Sequence, residues 1–229
     1  MTVFGAVRTG GRSALVAISL VLAGCAATLR PLEPLPRPEA EADAPRTTST
    51  AVNPATWSVP IDAADMAYFD ANPLMVPVEG VAPSGVSDSF NDPRSDGRTH
   101  RANDILVPMG TRVVAAESGT IMRLSHNALG GTTIYMTDDT GRFIFYYAHL
   151  EKYAAGLAPQ EHVLQGDLLG YVGMTGNAPV PHLHFQAMRR DTGRRDYWNS
   201  PAIDVKSLFT LTGRVRANDE QQGTSESAH

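Results

Sequence analysis

The chain has 229 residues, enough for one domain of ordinary size with additional segments. Its formal net charge of -5 leaves no basic excess to neutralise phosphates, so nucleic acid is not an expected partner. The single cysteine excludes an internal disulfide, and the 20 glycines and 16 prolines favour turns and strands over a helical bundle.

The first predicted element is an export signal. Arg8 and Arg12 precede an apolar run, residues 14–23, which is too short for a membrane span of about 20 residues and has the size of the apolar region of a signal peptide. The run ends in Leu22-Ala23-Gly24-Cys25, which resembles the lipobox of bacterial lipoproteins. That resemblance implies a signal peptide at residues 1–24 and acylation of Cys25. The alternative is an ordinary secretory signal with an incidental cysteine.

The lipobox resemblance also implies a location in the periplasm, on a membrane. Ala26 follows the cysteine, and in the lipoprotein sorting pattern a residue other than Asp there favours the outer membrane. Residues 25–60 contain five prolines between Pro31 and Pro45. Because this composition cannot bury enough apolar surface to offset chain entropy, we predict a lipidated, Pro-rich tether.

The predicted folded domain covers residues 61–210. Asp62 is expected to cap a short helix that ends near Asn72-Pro73. Further along, β-branched and aromatic runs alternate with Gly, Asn and Asp, which predicts strands at 112–116, 132–136, 142–147, 168–172 and 182–188. The fold class is therefore predicted as mainly antiparallel β. A polar tail, residues 211–229, is predicted to be disordered.

His100 and Asp104 form an HxxxD pattern with residue types that suit zinc. In a straight strand, residues four apart are separated by roughly 13 Å, so the segment must curl if both bind one ion. A solvated histidine and a turn aspartate remain an alternative for this motif alone.

Two further patterns contain histidines. In His182-Leu183-His184-Phe185, strand alternation places the two imidazoles on one face, about 7 Å apart, and the apolar residues on the other. His149 lies at the end of a predicted strand, in Tyr147-Ala148-His149-Leu150. Exposed histidines on a strand face, and a structural histidine at 149, are the alternatives.

These motifs, taken in order, resemble the lysostaphin-type, or LytM-like, zinc endopeptidases that degrade peptidoglycan. The resemblance spans roughly residues 77–209. It includes HxxxD at His100, Pro108-Met109-Gly110-Thr111, Ala116-Glu117-Ser118-Gly119-Thr120, Tyr147-x-His149-Leu150, Gly166-Asp167-x-x-Gly170, Gly173-x-Thr175-Gly176 and His182-Leu183-His184-Phe185. It implies a peptidase domain with a groove-lining zinc site. The chain departs from the family at Ala102, where a glycine is usual, so the turn between His100 and Asp104 is expected to differ slightly.

The resemblance implies a role for five side chains. His100, Asp104 and His184 would bind one zinc ion per chain, and His149 and His182 would be the catalytic histidines. Zinc with three protein ligands leaves a position open and lowers the pKa of a water there, which implies hydrolysis of peptidoglycan cross-links without a covalent intermediate.

Other assignments stay open at this point. Tyr147 is a candidate for positioning substrate. Which histidine is the base, and which peptide bond is cut, are undecided. The alternative function is a non-hydrolytic LytM-type regulator that binds the cell wall or activates an amidase, because degenerate members of the family that have lost zinc ligands act in that way. A protein partner is compatible with either function.

Overall fold

The computed structural model describes residues 58–94, 97–190 and 200–216. The predicted signal peptide, Cys25, most of the tether and the last 13 residues lie outside these ranges. Within them, no helix is long and apolar enough to cross a membrane. The elements are α1 (Ala63–Ala71), β1 (Leu74–Met75), β2 (Asn103–Leu106), β3 (Arg112–Val114), β4 (Gly119–Asn127), β5 (Gly131–Asp138), β6 (Phe143–Tyr153), β7 (His162–Val163), β8 (Leu168–Val172), β9 (His182–Arg189), β10 (Ala202–Ile203) and β11 (Phe209–Leu211), with short 3-10 turns at Pro83–Gly85 and Lys206–Leu208.

Helix α1 begins at the predicted cap. The Asp62 carboxylate accepts from the backbone N–H groups of Ala64 and Asp65, each at 2.9 Å, and satisfies donors that the first helical turn leaves unpaired. Asp65 is fully buried and pairs with Arg142 and Arg189 on the sheet. Burial raises the pKa of Asp65, but hydrogen bonds from the two guanidinium groups outweigh it and hold the pKa below its usual value. The ion pairs therefore fix α1 against the sheet.

The predicted antiparallel β fold is confirmed. In the described part of the chain nine strands form one sheet, with the order β10-β9-β6-β5-β4-β7, while β2 pairs with β9 and β8 pairs with β3 and β6. All of these pairings are antiparallel. Strands β1 and β11 form a separate parallel pair.

Strand alternation separates a core face from a groove face at the centre of the sheet. Leu183 and Phe185 of β9 are fully buried in the core. His184, on the other face of β9, lies opposite Asp104 of β2 and Ala148 of β6 in the strand register. The sheet thus brings the first and last histidine motifs together, although 80 residues separate Asp104 from His184.

Strand β6 carries one extra residue where it reaches the groove. Thr132 of β5 pairs with Leu150, and Ile134 pairs with Tyr147. A step of two residues along β5 is therefore matched by a step of three residues along β6. His149 lies in this bulge with a φ of 62°. The bulge reverses the alternation, so that Tyr147 and Leu150 both face the core, where each is fully buried.

The ordered domain extends beyond the predicted limits at both ends. Ser58 forms a bridge with Ala202, which includes part of the predicted tether in the fold. The predicted disordered tail is ordered over residues 211–216. Gly213 passes so close to the segment after β1 that a Cβ there would lie 1.8 Å from the Val78 carbonyl oxygen, and its carbonyl accepts from the Gly80 N–H. Because these contacts are made by the backbone, they leave no apolar pattern in the sequence from which order could be predicted.

A buried carboxylate lies under helix α1. Glu117 hydrogen-bonds to the Tyr68 hydroxyl, which also donates to Asp138 at 3.2 Å. Burial raises the pKa of Glu117 to about 7; the Tyr68 hydrogen bond opposes the rise, and the charges of Asp138 and Asp139 add to it. The folded protein therefore binds a proton here that the unfolded chain releases at lower pH.

We expect Glu117→Gln to reduce the loss of stability at high pH. Stability from this group is fully present below the ordinary pKa of 4.5 and is lost as the pH rises through about 7, because only the folded state holds the proton. Between pH 4 and pH 8, the free energy of unfolding of wild type should fall by about 1–3 kcal/mol more than that of the variant. Urea unfolding at both pH values with a zinc chelator measures this, with exposed Glu151→Gln as control. Parallel pH profiles for wild type and Glu117→Gln would contradict it.

Candidate functional site

Three side chains from the first and last histidine motifs converge at the junction of β2 and β9. His100 Nε2 lies 2.9 Å from His184 Nδ1 and 2.9 Å from Asp104 Oδ1. His184 Nδ1 lies 3.2 Å from the same carboxylate oxygen. One ligand atom from each residue thus points at a common centre, and the group could hold a metal ion.

The chemistry of these three atoms fits a zinc ion. His100 Nδ1 is 2.8 Å from the Ser89 carbonyl, which can only accept, so the imidazole proton is on Nδ1 and the Nε2 lone pair faces the centre. The Asp104 oxygen is a second acceptor there. Tetrahedral zinc with bonds of about 2.0–2.1 Å separates its ligands by roughly 3.3 Å, close to the spacings between these atoms. A cation at the centre would offset the repulsion between these electron-rich nitrogen and oxygen atoms.

Burial and pairing set the charges of this cluster. Burial raises the pKa of Asp104, but its close pairing with the His100 and His184 imidazoles outweighs burial and holds the pKa well below its usual value. Burial lowers the pKa of His184 to about 4, although Asp104 opposes the change. At neutral pH the site therefore contains an ionised carboxylate and a neutral His184, which are the protonation states that metal ligands need.

His149 and His182 lie beside the three-residue cluster. Their rings are 4.8 Å apart, and the His149 ring is 5.6 Å from that of His184. Each donates from Nδ1 to a backbone carbonyl at 2.8 Å, Thr175 for His149 and Val180 for His182. Each Nε2 therefore carries a lone pair. Burial lowers the pKa of His149 despite its hydrogen bond to Thr175, so this ring is neutral at pH 7.

The four histidines of this set, His100, His149, His182 and His184, line a groove with a volume of about 650 Å³. Its other walls include Leu129, Gly130 and Asn177, and the Asn177 N–H donates to the Leu129 carbonyl at 2.9 Å. Tyr147 does not reach it, because the β6 bulge places this residue in the core with its hydroxyl 3.1 Å from the Ala116 amide nitrogen. The prediction that Tyr147 positions substrate is therefore wrong. Its neighbour Tyr146 lines the groove instead.

The predicted curl between His100 and Asp104 is present. Arg101 has a φ of 59°, a left-handed conformation that turns the chain between the two side chains. Ala102, where relatives usually have glycine, is buried and is not among the described residues with positive φ. The substitution is therefore compatible with the turn, because the unusual conformation falls on Arg101.

Ser89 is a residue that the sequence motifs did not predict. It is buried, and its carbonyl accepts from His100 Nδ1. Its hydroxyl oxygen accepts from the Asp104 N–H at 2.9 Å and lies 3.4 Å from the Ala102 carbonyl. One serine thus orients two of the three clustered residues. No spacing rule marks it, because it lies 11 residues before His100 in an irregular segment.

We expect Ser89→Ala to lower zinc affinity about tenfold, the low end for groups that orient metal ligands. The variant loses the hydroxyl contact with Asp104 but keeps the carbonyl that holds His100. Competition with a chelator of known zinc affinity measures the change, with Ser125→Ala on β4 as the control. Equal affinities for wild type and Ser89→Ala would show that the hydroxyl does not orient the site.

Comparison with known proteins gives one matching family and several relatives. Residues 98–196 match peptidase family M23. The chain is 28% identical over 136 residues to the peptidoglycan DD-endopeptidase ShyC of Vibrio cholerae, covering 57% of this chain and 30% of that protein. It is 35% identical over 123 residues to lysostaphin of Staphylococcus simulans, covering 53% of this chain and 24% of that protein.

Solved structures include a similar chain. The lysostaphin catalytic domain from Staphylococcus simulans has 26% identity and a TM-score of 0.46, covering 62% of this chain and 96% of that one. The chain spans less than a third of the length of the two curated relatives, with 30% and 24% of their residues matched. The chain therefore resembles peptidase family M23, the LytM and lysostaphin family, over residues 98–196.

Proposed function

We propose that the protein is a zinc-dependent endopeptidase that hydrolyses peptide cross-links of peptidoglycan. The observation that carries this proposal is the convergence of His100, Asp104 and His184 within 3.2 Å of one another, beside two further histidines with free Nε2 lone pairs. A purely structural module has no need for such a set. The proposed zinc ligands are those three residues, with one ion per chain.

The histidines outside the ligand set can move protons. When bound, zinc would supply Lewis acidity that activates water and polarises a carbonyl oxygen. His149 and His182 are both held by backbone carbonyls with Nε2 unprotonated, so either can accept a proton from water. The other ring, after binding a proton from bulk solvent at Nε2, can donate a hydrogen bond to the oxyanion of the tetrahedral intermediate. We propose that the two rings divide these tasks.

The substrate class follows from the family and from the groove. The relative from Vibrio cholerae is named a peptidoglycan DD-endopeptidase, and the open groove has room for an extended peptide. For a periplasmic protein we propose the bond between D-alanine and diaminopimelate in the cross-link. This choice among bonds is a proposal from compartment and family.

The test is the product profile of purified cross-linked muropeptide dimers. Zinc-loaded protein that begins after Cys25 should convert dimers to monomers, and mass spectrometry of the products identifies the bond. His184→Ala should give no conversion. If folded, zinc-loaded wild type leaves dimers intact, the endopeptidase proposal fails and a regulatory role becomes the better account. Protein that purifies without zinc and binds none when it is added would favour the same regulator.

We propose in addition that Cys25 carries a lipid anchor in the periplasm, with the outer membrane favoured by Ala26. The support is the sequence Leu22-Ala23-Gly24-Cys25 after a short apolar run. We expect palmitate supplied to growing cells to label the wild-type protein and not the Cys25→Ser variant. An unlabelled wild type, or label that persists in the variant, would rule out acylation at this cysteine.

A further inference from the structure

Two arginines line one wall of the groove. Arg94 and Arg98 lie on the two arms of a short hairpin, in which Pro93 and Thr99 form a bridge and the Arg94 N–H donates to the Arg98 carbonyl at 2.8 Å. The backbone pairing holds the arms in a fixed relation. Both arginines are exposed, and both border the space next to the clustered histidines.

The partners of the two arginines differ. Arg94 pairs with Asp104 Oδ2 at 2.8 Å, with 41% of its side chain exposed. Arg98 makes no ion pair within the part of the chain that the structure describes. Of the described residues that line the groove, none is acidic. Arg98 therefore presents a positive charge that no described groove-lining residue neutralises, whereas the charge of Arg94 is paired with Asp104.

We propose that Arg98, assisted by Arg94, binds a free carboxylate of the substrate next to the scissile bond. Guanidinium groups bind carboxylates through parallel N–H donors, and an excess of one charge in a groove attracts the opposite charge. The inference deepens the proposed function and rests on it for the identity of the substrate. It makes the groove selective for acidic peptides over uncharged ones of the same shape.

The test compares two substrates that differ in one group. Cross-linked muropeptide dimers with the free diaminopimelate carboxylate are compared with the same dimers in which that group is amidated. Wild type should cut the free-acid form with a higher kcat/KM, by about fivefold to tenfold, and the ratio should fall as salt is added. Arg98→Gln should bring this ratio close to one. Arg123→Gln, an exposed arginine on β4 away from the groove, is the matched control and should keep the wild-type ratio.

Binding provides a second readout that does not depend on turnover. Calorimetry with zinc-loaded His182→Ala protein, to slow hydrolysis, gives the Kd of both dimers, and the additional Arg98→Gln change should remove the difference between them. Arg94→Gln is less informative, because it also removes a partner of Asp104.

The two proposals fail in different ways. Equal kcat/KM and equal Kd for the two dimers, or an unchanged ratio in Arg98→Gln, would overturn the carboxylate subsite while leaving the endopeptidase in place. Tighter binding of the free-acid dimer through Arg98, without hydrolysis of either form by wild type, would support the subsite and reject the endopeptidase.

Discussion

Asp104→Ala is expected to abolish stoichiometric zinc binding and to lower muropeptide hydrolysis by at least about a thousandfold, well above the tenfold to hundredfold cost of changes behind the ligands. The carboxylate supplies the only negative charge among the three clustered residues, and its close pairing with His100 and His184 keeps it ionised. Without it, Arg94 also loses its partner beside the two imidazoles. The unpaired positive charge of Arg94 would then oppose a cation.

The measurement is metal analysis of purified protein, followed by the dimer-to-monomer assay. Asp70→Ala, an exposed residue of α1, is the control and should keep both zinc and activity. Circular dichroism shows whether the variant remains folded. A folded Asp104→Ala protein that retains one zinc per chain would remove Asp104 from the ligand set.

His182→Ala and His149→Ala are each expected to lower kcat by about a hundredfold to ten-thousandfold while zinc stays bound, because a positioned acid or base contributes that range. Both rings lie outside the three-residue cluster, and the closest approach of His182 Nε2 to Asp104 Oδ1 is 3.7 Å. Their removal should therefore affect proton transfer without removing the ion. The pattern differs from that of Asp104→Ala, which should remove zinc and activity together.

The assay is single-turnover hydrolysis by zinc-loaded protein, with metal content measured in the same samples. His126→Ala serves as the matched control, since this exposed histidine on β4 contacts Thr132 and not the groove. Near-wild-type turnover in either variant would exclude that histidine from the mechanism. Comparing the pH dependence of kcat in the two variants would assign the base, because loss of the base removes the acidic limb of the profile.

Most of the fold followed from short-range patterns. Asp62 predicted the start of α1 because a capping carboxylate acts within one helical turn, and that helix is present at Ala63–Ala71. The predicted strand at 168–172 coincides with β8, since β-branched and apolar residues between glycines constrain the backbone locally. The convergence of the five site residues, by contrast, rested on resemblance, because no local pattern brings together motifs 80 residues apart.

The sequence could not reveal features that depend on backbone geometry. The bulge at His149 breaks the alternation of β6 and leaves Tyr147 facing the core, which no local pattern in the sequence reveals. Ser89 acts through its main-chain carbonyl as much as its hydroxyl, and any residue supplies a carbonyl. The segment around Gly213 is held by main-chain contacts, so its polar composition suggested disorder.

The register of β2 against β9 has a further consequence for folding. Asp104 faces His184 only in one alignment of these strands, and a shift of a single residue would turn the carboxylate to the opposite side of the sheet. Zinc would then bind only to chains whose central strands are correctly aligned, and its binding energy would add to the stability of that alignment alone. The ion would therefore select the native strand pairing whenever the protein folds or refolds.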